Sequence, residues 1–180
     1  MNWGIFERMT MPPRRRRLWR RSVRFHGMAC RELALGVRAC ETALDRLGLT
    51  RADPMRLVCV TERDGCCVDA IQACLGCTVG KKHLLFYRTG KLIFSVYDLE
   101  TGDSVRIRTR EEGLWDKTPE QILRLETEEL FAFEEAHPLT ARVLRKVNRG
   151  CGPRREESPR LHGSFQDSSE PFRDFDESKF

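Results

Sequence analysis

No stretch of this sequence reaches the roughly 18–20 consecutive apolar residues needed to cross a bilayer as a helix. The segment that follows its arginine run, "RFHGMACRELALGVRAC", is charged throughout, so no membrane span is expected. The run "RRRRLWRRSV" also lacks the apolar segment that a twin-arginine export signal requires, and export is not expected. No second Cys-x-x-Cys pair accompanies Cys74 and Cys77, which leaves that pair as a dithiol motif or half a zinc site, with a packed structural thiol as the better reading of Cys74. The segment from Gly76 to Lys82 is one residue short of a phosphate loop and lacks the Ser or Thr that would bind magnesium. Nucleoside triphosphate binding by that loop is excluded.

The net charge of +5 points to nucleic acid until it is located. Residues 1–25 hold eight arginines against one glutamate, a net +7, and the rest of the chain is therefore slightly acidic at about −2. No aromatic interleaving or nucleic-acid module accompanies the basic arm, so nucleic acid is not an expected partner. With 180 residues, 40% of them hydrophobic and 33% charged, the chain can bury one core. The expected organisation is a basic flexible extension over 1–23, a single compact domain over 24–150 and a disordered tail over 151–180, the last rich in Pro, Gly, Ser and mixed charge. Eight cysteines sit mostly within apolar runs with no secretory signal before them, which predicts reduced thiols and a cytoplasmic setting.

Leu33, Val37, Cys40, Leu44 and Leu47 recur at helical spacing and predict a helix from Arg31 to Leu47, stopped by Gly48. "MRLVCVTE" predicts a strand, and "GCCVDAIQACLG" a second, short helix. "LLFYR", "KLIFSVYDL" and "SVRIRT", separated by Thr-Gly and Glu-Thr-Gly-Asp turns, read as an antiparallel meander. Thr118-Pro-Glu-Gln121 is a capping-box start to a helix expected to run to Glu135, with His137-Pro138 and another short helix after it. The fold class is α+β, an antiparallel sheet packed with helices.

On the second helix a turn of about 100° per residue puts Cys67, Ile71, Cys74 and Leu75 on an apolar face. Cys66, Asp69 and Gln72 fall on the other, so Cys66 shares its surface with a carboxylate and an amide. Cys77 leaves the helix between Gly76 and Thr78 and is expected to face a cleft. His26 and Cys30 precede the first helix, whose positive end favours a thiolate and hence a metal such as zinc. A buried histidine bonded to a carbonyl, beside a thiol packed as a small hydrophobe, explains the same residues equally well. His83 and His137 are isolated and read as capping or surface residues, and no acidic pair forms a catalytic dyad. The cysteines are expected to divide, with Cys40, Cys59, Cys67 and Cys74 packed in the core.

The string "CCVDAIQACLGCTVGKKHLLFYRTGKLIFSVYDLETGDSVRIRT" resembles the core of the formylmethanofuran dehydrogenase E-subunit family. It has a Cys-x-x-Asp-x-x-Gln helix, then Gly-Cys-Thr-x-Gly-Lys and a glycine-punctuated meander, and "FHGMACRELALGVRA" is similar to the family's His-Gly-His-x-Cys-Pro-Gly lead-in. The likeness spans residues 24–148. It implies a polar pocket of His26, Cys30, Cys66, Asp69, Gln72, Cys77, Thr78 and Lys81. Within that pocket His26, Cys30, Cys66 and Cys77 are the implied metal ligands. Gln72, Thr78 and Lys81 would contact a bound cofactor, and Cys66, Asp69 and Cys77 are the candidates for any catalysis. Zinc is the implied cofactor, and the implied partners are a second copy in a homodimer and a molybdenum or tungsten oxidoreductase of one-carbon metabolism. Alternatives are a non-catalytic accessory or metal-delivery protein, or thiol redox chemistry through Cys66 or Cys77. Two departures weigh on the metal. Met28 stands where the family has its second histidine, and Arg31-Glu32 replaces Pro-Gly, so weak or lost occupancy is predicted. The ribbon with two Cys-x-x-Cys pairs that many relatives carry cannot form here, because only Cys151 follows the core.

Overall fold

The computed structural model describes residues 11–139. The expected tail and the short helix after His137-Pro138 lie outside the described residues, apart from the chain up to Leu139. Helix α1 spans Pro13–His26 and α2 spans Arg31–Arg46, followed by strand β1 at Leu57–Thr61 and helix α3 at Cys66–Leu75. Strands β2 (Leu84–Phe86), β3 (Ile93–Asp98) and β4 (Ser104–Thr109) come next, then single turns of helix α4 (Pro119–Ile122) and α5 (Thr127–Leu130), and strand β5 (Phe131–Glu134). The five strands form one mixed sheet in the order β2-β1-β3-β4-β5. A single α+β domain results, as the hydrophobic periods predict.

Three expectations need correction. The arm expected to be flexible over 1–23 is helical from Pro13 onward. Its arginines are good helix formers, Pro13 occupies the first turn, Gly27 closes the end at φ 91°, and Trp19 and Ser22 are fully buried. The meander holds for β3, β4 and β5, but β2 runs parallel to β1, pairing Cys59 with Leu84 and Thr61 with Phe86. Parallel neighbours need a crossover, and α3 is that crossover. The Thr89-Gly90 turn does not close a hairpin. It carries the chain past the end of β1, where both N–H groups donate to the Glu62 carbonyl at 3.0 Å. Finally, the helix expected from Thr118 to Glu135 stops early. The capping box at Thr118 and Gln121 forms as predicted, but Phe131, Ala132 and Phe133 are drawn out as an edge strand against Thr109, Arg108 and Ile107, aromatic residues being well suited to a half-buried sheet.

One sheet face, with Leu57, Cys59, Phe94, Val96, Val105 and Ile107, packs under α1, α2 and α3 as the main core. The other face presents Val58, Val60 and Tyr97 to Leu139, and the Tyr97 hydroxyl donates to the His137 carbonyl at 2.6 Å. The tightest packing is between α2 and α3. A Cβ added at Gly36 would lie 2.8 Å from the Ala70 Cβ and 2.8 Å from the Cys67 carbonyl oxygen, so only glycine lets the helices approach this closely.

Two outcomes are expected from this packing. Gly36→Val forces the helices apart and lowers stability by about 1–3 kcal/mol, the usual effect of overpacking. Denaturant unfolding checks this, and a midpoint unchanged from wild type would contradict it. The second outcome concerns acid. Burial works against ionisation of Asp98, but the Arg56 guanidinium, donating to both carboxylate oxygens, holds its pKa below the ordinary 3.8. A depressed carboxylate stabilises the fold above its unfolded pKa and loses that contribution as pH falls through the folded value. The stability gap between wild type and Asp98→Asn is therefore widest near neutrality and closes toward about pH 3; a gap independent of pH would refute the assignment.

Candidate metal site

Three helix ends converge on one point. The last residue of α1 supplies His26, Cys30 is the N-cap of α2, and Cys66 opens α3. The donor atoms of these three residues all lie within 4.8 Å of one another, and each side chain is partly buried. His26 Nε2 is 3.8 Å from the Cys30 sulfur, while His26 Nδ1 is 2.7 Å from an Asp69 carboxylate oxygen. Asp69 lies one turn along α3 from Cys66, as helical spacing predicts. The Cys30 sulfur also accepts the Leu33 N–H at 3.4 Å, so both thiols occupy the electropositive ends of helices.

The Cys66 thiol is nevertheless pushed up to about 11, first by burial, then by its hydrogen bond to Cys30 and by Glu32. Glu32 was missed by sequence reasoning. It stands where the resembled family has glycine, and its carboxylate accepts the Cys66 N–H at 3.2 Å and lies 4.0 Å from the Cys67 sulfur. Gly65, the residue before α3, has no side chain to cap that helix. Any Cβ there would meet the Glu32 carboxylate at 2.6 Å, so an acid from a neighbouring helix replaces the local cap. The sequence signal was the pairing of a helix start without Ser, Thr, Asp or Asn with a glutamate two residues after Cys30.

The other expected site residues are elsewhere. Cys77 does not face a cleft. Gly76, left-handed at φ 69°, lies so close to Pro54 that its own Cβ would be 2.7 Å from that ring, and the turn directs the next residue inward. Cys77 is fully buried, contacts the Leu57 carbonyl at 3.3 Å and is pushed up to about 12, chiefly by burial. Thr78 and Lys81 shape their own loop, with the Lys81 ammonium donating to the Pro54 carbonyl at 2.8 Å and the Lys81 N–H to the Thr78 hydroxyl at 3.4 Å. Gln72 is half-buried on α3, and its side chain makes no hydrogen bond to the cluster. Met28 is exposed at 60%. His83, expected to cap or face solvent, is buried with Nδ1 2.9 Å from the Leu57 carbonyl oxygen. Cys40, Cys59, Cys67 and Cys74 are buried as helical angle and strand context require, and none of the seven described cysteines is in a disulfide.

Two thiols and an imidazole braced by a carboxylate, on an α+β frame, define a domain able to hold a transition metal. The comparisons narrow the class. The pattern of the family described as "FmdE, Molybdenum formylmethanofuran dehydrogenase operon" matches residues 25–148, and the chain belongs to that family. It is 28% identical over 127 residues to a "Probable S-adenosyl-L-methionine-binding protein" of Archaeoglobus fulgidus; the match takes in 68% of this chain and 34% of that protein, so the chain spans about a third of the relative's length. The crystal structure of an FmdE-like protein of tungsten formylmethanofuran dehydrogenase from Syntrophus aciditrophicus is 25% identical, with a TM-score of 0.45 over 61% of this chain and 59% of that one.

The role of Glu32 can be checked directly. Glu32→Ala removes the surrogate cap of α3 and lowers stability by about 1 kcal/mol, the usual effect of losing a cap, with faster hydrogen exchange at the Cys66 amide. Glu32→Gln keeps an acceptor and recovers most of the loss. Unchanged exchange at Cys66 in the alanine variant would show that the carboxylate does not cap the helix.

Proposed function

We propose that this domain binds zinc through His26, Cys30 and Cys66, with Asp69 as the residue that positions the imidazole. The observation that carries the reading is the 2.7 Å contact between His26 Nδ1 and Asp69. It engages one ring nitrogen and leaves Nε2, the one on the Cys30 side, as the donor. Metal-bound histidines characteristically hand their second nitrogen to a carboxylate in this way. Two sulfurs and one imidazole are a donor set suited to zinc, and three protein ligands rather than four are typical of sites that leave a position for a small molecule. When bound, the metal would supply Lewis acidity at that position. The chain's own contribution is to hold the thiols at helix N-termini, fix the tautomer of His26 and bury part of the site.

Cys77 has no place in this set, since it lies in the core. Thiol redox chemistry at Cys66 fits less well, because the thiol is pushed up to about 11 and a thiol is reactive as its thiolate. Family membership supports a role beside a molybdenum or tungsten oxidoreductase of one-carbon metabolism, as an accessory or metal-delivery protein in the cytoplasm. Phe25 and Met28, exposed at 56% and 60%, flank His26 in sequence and support pairing into a homodimer.

Metal analysis of protein prepared without an affinity tag and loaded with zinc should give close to one equivalent. Asp69→Ala should weaken binding on the order of 10- to 100-fold, as removal of such outer partners does, while Cys77→Ser leaves the stoichiometry unchanged. Occupancy below about a tenth of an equivalent after loading, or full occupancy in the Cys30→Ser, Cys66→Ser double variant, would overturn the reading.

A further inference from the structure

Away from the thiol cluster lies a cleft of about 720 Å³ between α1 and the chain at residues 49–56, with Leu44 of α2 and Cys74 of α3 in its lining. It shares no lining residue with His26, Cys30, Cys66 or Asp69. Five arginines line it, Arg14, Arg17, Arg21, Arg51 and Arg56, against a single acid, Asp53. Arg14, Arg17 and Arg21 recur at helical spacing on one face of α1, and Arg51 and Arg56 belong to the facing wall. Two of the five are committed, Arg14 to Asp45 at 2.6 Å and Arg56 to Asp98 and Glu100. Arg17, Arg21 and Arg51 are exposed and form no ion pair with any described carboxylate. Between the two basic walls the surface is apolar, formed by Leu18, Leu44, Leu49, Ala52 and Pro54.

We propose that this cleft binds a small organic polyphosphate, its phosphates held by Arg17, Arg21 and Arg51 and its apolar or aromatic portion laid on the Leu18, Leu44 and Leu49 surface. Guanidinium groups recognise phosphate oxygens through paired, charge-assisted hydrogen bonds. Three unpaired guanidiniums on opposing walls suit two or more phosphate groups better than a single carboxylate. The cleft volume falls within the roughly 300–1,000 Å³ of small-molecule sites, which favours a compact ligand over a nucleic-acid strand, whose contacts run along an extended groove. The site owes nothing to the glycine loop at Gly76, which lacks the features of a phosphate loop.

Calorimetric titration of the full chain with ADP, adenosine and inorganic pyrophosphate tests the proposal. ADP should bind more tightly than either fragment, since only ADP uses both the arginines and the apolar floor, and its affinity should fall as salt rises. Arg17→Glu with Arg21→Glu should weaken ADP on the order of tenfold or more, and Arg51→Glu, on the opposite wall, should do so independently. All three side chains are exposed, so thermal unfolding should stay near wild type, and zinc content should be unchanged because the two sites share no residue. No heat with ADP up to about millimolar concentration, wild-type ADP affinity in either variant, or binding of a single-stranded oligonucleotide where ADP fails would each overturn it.

Discussion

The close approach of α2 and α3 at Gly36 is the constraint on which the rest of the molecule depends. With the Cys67 backbone and the Ala70 methyl pressed against a residue that has no side chain, the first turns of the two helices are brought side by side. Cys30 and Cys66 belong to those turns, one as a cap and one as a first residue. A helix pair crossing at the usual 8–10 Å with a larger residue at Gly36 would separate the sulfurs. The geometry of the cluster is thus a product of packing several residues away from it. The same contact orients α3 as the crossover between β1 and β2, so the parallel edge of the sheet and the thiol pair share one cause.

A second constraint ties the helical layer to the far end of the chain. Arg38 is 1% exposed and donates to the Leu125 carbonyl at 2.5 Å and the Ile122 carbonyl at 3.3 Å, and its guanidinium lies 3.4 Å from the Glu41 carboxylate. Burial, then the nearby Arg15, lowers its pKa to about 10, which still leaves it charged at neutral pH. A buried cation without partners would be strongly destabilising. Here it gathers carbonyls that single-turn helices leave without intrahelical donors. This explains how the segment from Thr118 to Leu130 can be ordered with only α4 and α5 as regular structure, and why it releases Phe131 into the sheet rather than continuing as a helix.

Much of this was legible in the sequence where side-chain period and local chemistry coincide. Helix α2 begins at Arg31 as expected, α3 begins at Cys66, and the four thiols assigned to the core are there because helical angle and strand context decide burial without knowledge of the partner. Cys30, Cys66 and His26 converge, and Asp69 joins them. What was not legible depended on neighbours remote in sequence. Cys77 follows the helix at a glycine, which reads equally well as a turn outward or inward; only Pro54, packed against Gly76, decides it. Glu32 caps a helix more than thirty residues away, a relation no local pattern encodes. The placement of β2 required knowing that β1 could accept it on its free edge, and a Thr-Gly turn gives no sign of that.

The arginine run shows most clearly why composition misleads when it is summed rather than mapped. Eight arginines in the first 25 residues suggest a solvated arm, yet helical geometry sorts several of them by task. Arg14 and Arg15 reach Asp45 and Glu41 at 2.6 Å each and fasten α1 to α2. On the inward face Trp19 and Ser22 are buried, with the Ser22 hydroxyl 3.2 Å from the Cys74 sulfur. Arg17 and Arg21 project on the side of the basic cleft. An isolated helix with this many like charges would be unstable from repulsion at one-turn spacing. Docking onto an acidic and apolar surface offsets that repulsion, so α1 is a helix because of what it packs against. The same docking delivers His26 to the thiols, which makes the basic segment part of the site rather than an appendage to it.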